Sequence, residues 1–240
     1  VGQIQWFHRF NLSDSATLRQ VLKAGRGPVQ PDVWVMVGPD GTPFVRKSWA
    51  RKAPLWRWLF GRRLARREGR IIAALEDLPG LPRFLGHPDP WTVDMSLLDA
   101  EPVPEEKHGT ALDALYFARL SELLAAMHRR GINHGDLRRK NLLRAPGDPS
   151  TPRLVDFTQC LHFTPPVRGW RRWVLGQAQR VDRVTLLKLK RWFLGPEALD
   201  AAERAELAAV PWHLRLGRLL RGRVYRPVKH LLRGGRRRGR

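Results

Sequence analysis

Two short stretches restrict the fold of this chain more than anything else in it: INHGDLRRKN, from Ile132 to Asn141, and LVDFT, from Leu154 to Thr158. Three polar side chains, Asp136, Asn141 and Asp156, are set into runs whose other residues call for burial. Their spacing reads as one hydroxyl-orienting carboxylate and two oxygen ligands for Mg²⁺. Their types suit phosphoryl transfer. Mg²⁺ takes a few hard oxygens and keeps waters, so one carboxylate and one amide carbonyl, with the phosphates of a nucleotide, complete its shell. Asp156 and Asn141 supply that pair. The step from Asp136 to Asn141 lets one loop aim its first carboxylate at an incoming hydroxyl while its last side chain reaches the metal. An ordinary Asp titrates at about 4 and is a poor base for an alcohol, but a loose transition state needs the hydroxyl oriented more than it needs early proton removal. Asp136 is read as the orienting residue and late proton acceptor. Either motif alone is weak; their order, the strand-like LVDF and the Pro/Gly/Asp turn between them make the pair informative.

The residues upstream fit the same chemistry. LRQVLK, AGRGPVQ, DVWVMVG and TPFVRKSW alternate as strands joined by a Gly-rich bend and a Pro-Asp-Gly turn, predicting a three-stranded nucleotide-covering hairpin from Leu18. Gly25 and Gly27 let the backbone approach phosphates and offer N–H groups, although Pro28 removes one donor. Lys47 lies on the third strand. The helical periodicity of 62–78 puts Leu64, Ile71 and Leu75 on one face with Glu68 among them, and a carboxylate on a buried stripe needs a cation. Lys47 is the expected partner, which holds its ammonium over the α/β-phosphates; Glu76 is the alternative acid, off the main face. Trp91 to Asp99 reads as a strand pair leading into a hinge, where the backbone around Leu98 and Ala100 meets an adenine. A helix from Thr110 to Arg130, with Leu112, Leu115, Leu120, Leu123 and Met127 on its apolar face and Gly131 as its stop, delivers the chain into the HGD loop.

Taken in order, the glycine bend, Lys47, Glu68, hinge, helix, HGDLRRKN and VDFT resemble the protein-kinase-like superfamily in its compact form, nearest to RIO-type and bacterial Kdo/lipopolysaccharide-core kinases. The resemblance runs from about Leu18 to Leu194, and HGDLRRKN and VDF are its specific motifs. It implies an α+β bilobal fold, with a small antiparallel first lobe and a minimal, mainly helical second lobe. It implies ATP and Mg²⁺ as cofactors and a hydroxyl as phosphate acceptor. It maps Asp136 onto the catalytic aspartate, Asn141 and Asp156 onto the metal ligands, Lys47 onto the phosphate lysine and Glu68 onto its partner. Gly135 stands where common protein kinases carry an arginine, and Thr158 where many carry glycine. No APE-like segment follows, which argues against a peptide-docking lobe. The implied acceptor is a membrane glycolipid or lipopolysaccharide-core sugar; a RIO-like serine/threonine kinase shares every motif, and a non-catalytic pseudokinase scaffold on membrane or RNA is the third reading. His134 is expected to be a buried, hydrogen-bonded brace of the loop.

Charge is distributed unevenly along the 240 residues, whose formal net charge is +22. Between Glu76 and Glu122 ten acids face three basic residues, whereas 46–70 carries ten Lys/Arg against the single Glu68, and no acid follows Glu206. Such faces imply an anionic partner: a phosphorylated substrate, an acidic lipid surface or nucleic acid. Trp56, Trp58, Leu59 and Phe60, interleaved with arginines, suit a lipid interface, stacking on bases, or packing of helix on sheet. Trp6, Phe7 and Phe10 are expected to fold back on the domain. The tail 211–240, with eleven Lys/Arg, reads as a kinked basic amphipathic helix for a membrane surface or for the second lobe. The expected organisation is an extension (1–17), a first lobe (18–100), a second lobe (101–210) and this tail. One cysteine, Cys160, excludes an internal disulfide framework, and no long apolar run or secretory signal is visible. The expected location is the cytoplasm, with peripheral attachment to the inner face of the membrane.

Overall fold

The structure, a computed structural model, describes residues 16–209 apart from 26, 28, 29 and 105–111. The readings made for Trp6, Phe7, Phe10 and the tail 211–240 lie outside the described residues. The chain begins with an antiparallel sheet built around β2 (Asp32–Val37), whose Val, Trp and Met side chains are buried on both faces. Such β-branched and aromatic residues suit a covered pleated surface. β1 (Thr17–Lys23) lies on its outer edge, exposed along its length and shifted in register at two points. On the other side β3 (Pro43–Ser48) sets Lys47 opposite Val33, and then come β5 (Thr92–Ser96) and β4 (Phe84–Gly86), giving the order β1-β2-β3-β5-β4. The strand pair expected within 91–99 is thus made by β5 with β4, which arises from the Pro-rich stretch before it.

Between β3 and β4 the chain is helical: α1 (Pro54–Trp56), a π-helical turn (Arg57–Gly61) and α2 (Arg62–Ala73) follow one another without a break. α2 stops short of the expected Leu78 and continues as isolated turns, with Leu75 N–H on Ile72 and Leu78 N–H on Leu75. Pro79 disfavours helical geometry in the residue before it. α2 buries Ala65, Glu68, Ile71 and Ile72 against the sheet.

α3 (Ala114–Arg129) is capped by Asp113, whose carboxylate accepts from Tyr116 N–H at 2.7 Å. Its buried face is Tyr116, Phe117, Leu120, Leu123, Leu124 and Met127. Leu115, expected on that face, is exposed, because the face is centred on 116, 120, 123 and 127, and Leu115 lies one step round the helix from it. A second sheet, β6 (Glu101–Pro102), β7 (Leu142–Ala145) and β8 (Asp148–Leu154), follows the hinge and the HGD loop, with α3 packed on β8. α4 (Gly169–Leu194) and α5 (Ala201–Ala208), the latter closed by a reciprocal Asp200/Glu203 capping box, complete the described chain. A continuous core runs from Trp49, Ile71 and Ile72 through Leu120, Met127 and Phe157 to Leu186 and Phe193. Burying Phe157 alone contributes about 1.5–3 kcal/mol. The architecture is α+β, as expected: an antiparallel first sheet with its helix, then a mostly helical remainder. Among the described residues no helix is long and apolar enough to cross a membrane.

Candidate active site

β3 carries Lys47 inward and α2 carries Glu68 to meet it. Lys47 Nζ lies 2.6 Å from Glu68 Oε1, and the glutamate is 1% exposed. Glu76, the alternative acid, is exposed to solvent. The ammonium also reaches Asp156 Oδ1 at 3.2 Å. Burial is the largest single influence on Lys47 and acts to lower its pKa, but the charges of Glu68 and Asp156 outweigh it and hold the lysine protonated, above its ordinary range. Burial likewise works to raise the Asp156 pKa. The Lys47 charge and a hydrogen bond from Thr158 prevail, and the carboxyl sits well below the usual carboxylate range. Thr158 Oγ1 lies 2.7 Å from Asp156 Oδ1 and 3.2 Å from Glu68 Oε2. With one proton, the hydroxyl donates to one of them at a time. Asp156 itself adopts a left-handed backbone, φ 72°.

Asp136 and Asn141 meet at the other side of the group. Asn141 Nδ2 donates to the Asp136 carbonyl at 2.8 Å and to its carboxylate at 3.3 Å. The amide oxygen of Asn141 is thereby turned toward the acceptor role a metal ligand needs. Arg138 pairs with the Asp136 carboxylate. Val155 N–H donates to the Asn141 carbonyl at 3.1 Å, tying the loop to the residue before Asp156. Between the two halves lies His134, fully buried, with its ring 5.5 Å from that of Phe157. Burial lowers its pKa against the opposing charges of Asp182, Asp156 and Asp136, so the ring is neutral while three carboxylates surround it. His134 was expected to be a hydrogen-bonded brace. It braces by packing and through its backbone, for neither ring nitrogen has a hydrogen-bond partner of ordinary geometry.

The residue that fixes the loop went unread in the sequence. Asp182, on α4 and 1% exposed, accepts from His134 N–H at 2.7 Å and from Gly135 N–H at 2.9 Å, and its Oδ2 lies 3.1 Å from His128 Nε2. Its one signal was an acid in the middle of a long basic helix. Arg138 and Thr158 were also missed as members of the group.

The other expected positions fall as follows. Gly25 N–H donates to Asp32 Oδ1 at 2.7 Å and its carbonyl accepts from Lys52 at 2.9 Å, so the donor assigned to a phosphate closes the hairpin bend instead. A Cβ at Gly25 would lie 2.3 Å from the Gln30 carbonyl, which is why glycine stands there. Gly27 belongs to the same bend, its carbonyl accepting from Gln30 N–H at 3.2 Å, and a Cβ there would meet the Gln30 side chain at 4.0 Å. Leu98 and Ala100 lie half-buried in the connection from β5 to β6. Leu97 to Asp99 line a cavity of about 830 Å³ with Leu78, Leu85 and Arg153, and this cavity shares no residue with the Lys47, Asp136, Asn141 and Asp156 group. Among the described residues no cluster of three or more His, Cys, Asp or Glu is arranged to hold a metal ion. The ionised carboxylate of Asp156 and the amide oxygen of Asn141, whose Nδ2 is engaged by Asp136, are a donor pair that fits Mg²⁺, which draws its remaining ligands from phosphates and water.

No family model matches the sequence, and no curated protein matches it. Solved structures do. The Rio2 kinase from Chaetomium thermophilum aligns with a TM-score of 0.56 and 21% identity, over 80% of this chain and 63% of that one. The Rio2 kinase–ADP/Mg²⁺–phosphoaspartate complex from the same organism aligns with a TM-score of 0.47 and 20% identity, over 80% and 70%. The first alignment shows a protein-kinase-like α+β fold; the chain spans less than two thirds of the length of that Rio2 kinase.

Proposed function

We propose that the chain is an ATP- and Mg²⁺-dependent phosphotransferase acting on a hydroxyl group. The observation that carries this reading is the junction of Lys47, Glu68 and Asp156, which brings together residues 109 positions apart. In the reaction, the bond from the γ-phosphorus to the bridging oxygen breaks as the acceptor oxygen bonds to that phosphorus; ADP leaves and the hydroxyl proton passes to Asp136. Lys47 binds the α/β-phosphates, held in place by Glu68. Asn141 and Asp156 would hold Mg²⁺, which neutralises the phosphate charge that builds up during transfer. Asp136 orients the acceptor, and Arg138 lies on its carboxylate.

The acceptor we favour is a sugar hydroxyl of a membrane glycolipid. The ten Lys/Arg of 46–70, against the single acid Glu68, support an acceptor held at an anionic membrane surface. Incubation with γ-labelled ATP and separated membrane-lipid and protein pools tests both levels. Label in the lipid pool that is lost in Asp136→Ala, with ATP binding kept, supports the whole reading. Label in protein moves the acceptor to serine or threonine. Nucleotide binding with no transfer to any pool, and no ATP turnover, refutes catalysis and leaves a pseudokinase.

A further inference from the structure

The helical connection from β3 to α2 presents an apolar face that nothing in the described fold covers. Trp58 is 76% exposed and Leu55 63%, with Trp56, Leu59 and Phe60 exposed beside them. These side chains are held outward by the opposite side of the same turn. Gly61 is buried tightly against Trp49 and Trp91, and Arg57 lies over the Trp91 ring at 4.7 Å while donating to the Ala50 carbonyl at 3.1 Å. Trp56 and Phe60 stack on each other at 5.6 Å, 20° between planes. An exposed cluster of this size is unusual on a soluble protein unless something binds it.

Its surroundings are of one sign. Arg51, Arg62 and Arg63 are exposed beside it in the chain, and the one acid between 49 and 73, Glu68, is buried and bound to Lys47. We propose that this projection docks on an anionic lipid bilayer, with Leu55, Trp58, Leu59 and Phe60 entering the interfacial zone and the flanking arginines resting on headgroup phosphates. Aromatic rings at the headgroup level beside cations form the side-chain set that interfacial helices use. Single-stranded nucleic acid fits less well. Leucines give bases nothing to stack on, Trp56 and Phe60 each have one ring face taken by the other, and the cluster projects from the surface where base-stacking sites line a groove. The inference does not rest on the phosphotransfer reading, since a surface can dock whether or not the site turns over.

The test uses the full chain with vesicles of phosphatidylcholine, with and without about 30 mol% phosphatidylglycerol. Binding is measured by sedimentation at low salt and at about 0.5 M, where contacts from charge alone, including those of the basic tail, are screened. The expected result is that the wild type stays on anionic vesicles in high salt, and that Leu55→Ser/Trp58→Ser/Phe60→Ser loses about tenfold or more in partitioning there, from the apolar surface withdrawn. Trp58→Phe keeps the binding but loses much of the fluorescence quenching by brominated lipid, a readout that survives if the triple variant folds poorly. Equal partitioning of wild type and triple variant, or quenching unchanged in Trp58→Phe, overturns the proposal. So does a loss of oligouridine binding, or of a concentration-dependent dimer, in the triple variant without loss of vesicle binding: either assigns the face to RNA or to a second copy of the chain.

Discussion

Asp182→Ala probes how the loop bearing Asp136 is held. The carboxylate receives two backbone N–H bonds, at 2.7 and 2.9 Å, from consecutive residues of that loop, and it is 1% exposed. Alanine leaves both donors without a partner. His134 is fully buried and its ring offers no substitute, and His128, the third group at the carboxylate, is itself a ring nitrogen that loses its contact. A buried donor left unsatisfied costs about 1–3 kcal/mol; the His134 N–H is buried, whereas Gly135 is exposed and its N–H can turn to water, so the predicted loss of stability is about 1–3 kcal/mol. Asp182→Asn should fall between, since its amide can accept from one N–H and presents hydrogens to the other. The assay is urea unfolding of both variants at neutral pH, with hydrogen exchange at the His134 and Gly135 amides. If the loop opens locally before the domain unfolds, the loss appears first as faster exchange at those amides and a smaller shift in the unfolding midpoint. A stability change below about 1 kcal/mol with unchanged protection of both amides would refute the assignment of Asp182 as the anchor.

The remaining predictions concern the neighbouring groups. Gly135 has φ 74°, and a Cβ there would lie 2.6 Å from the Gln159 carbonyl, so Gly135→Ala should destabilise by more than about 1 kcal/mol in urea unfolding and lower any transfer rate. Lys47→Met leaves Glu68 buried without its cation and should cost about 3–5 kcal/mol, whereas Lys47→Met/Glu68→Leu should recover most of it while nucleotide binding stays lost; calorimetry with a fluorescent ATP analogue reads both. The Asp156 carboxyl is depressed in the folded state, so its contribution is complete above the unfolded value of about 4 and disappears as pH falls through the lower folded value. Unfolding midpoints between neutral pH and pH 2 should therefore drop more steeply for the wild type than for Asp156→Asn.

What the sequence made legible follows from distance along the chain and from chemical type. The Lys47–Glu68 pair could be read because the helical period of 62–78 set a carboxylate on an apolar stripe, and the only question was which cation answered it. Asp136 and Asn141 could be read because five residues and two polar types are a local pattern. Asp182 could not, because the need it meets, two unpaired N–H groups at His134 and Gly135, exists only once α4 has folded across the loop from 47 residues away. Gly25 was misread for a related reason: a glycine before a strand lysine looks like a phosphate loop, and only the return of the chain shows its N–H engaged by Asp32. The aromatic residues 56–60 stayed open among three readings because period alone does not tell which side of a helix meets the sheet. Gly61, the one residue small enough to sit against Trp49 and Trp91, decided it, and the aromatic side chains went outward.

Opposite charges within the site hold its shape. Lys47 is met by Glu68 and shared by Asp156, and Arg138 lies on Asp136, so each ionised group of the constellation already has an opposite charge within reach. An ammonium carries three donors. Two are engaged here, by Glu68 and Asp156, which leaves a third whose use would not require breaking the bond to Glu68. Asp156 occupies a left-handed backbone that costs an ordinary side chain roughly 1–2 kcal/mol, and Asp somewhat less because its short polar group bonds locally. Glycine would adopt it freely but brings no carboxylate. The bonds from Lys47 and Thr158, both to its Oδ1, compensate for that strain. Thr158 therefore acts as a local stabiliser of Asp156: its hydroxyl can turn from Asp156 to Glu68 when the carboxylate takes another partner, with no buried donor left over.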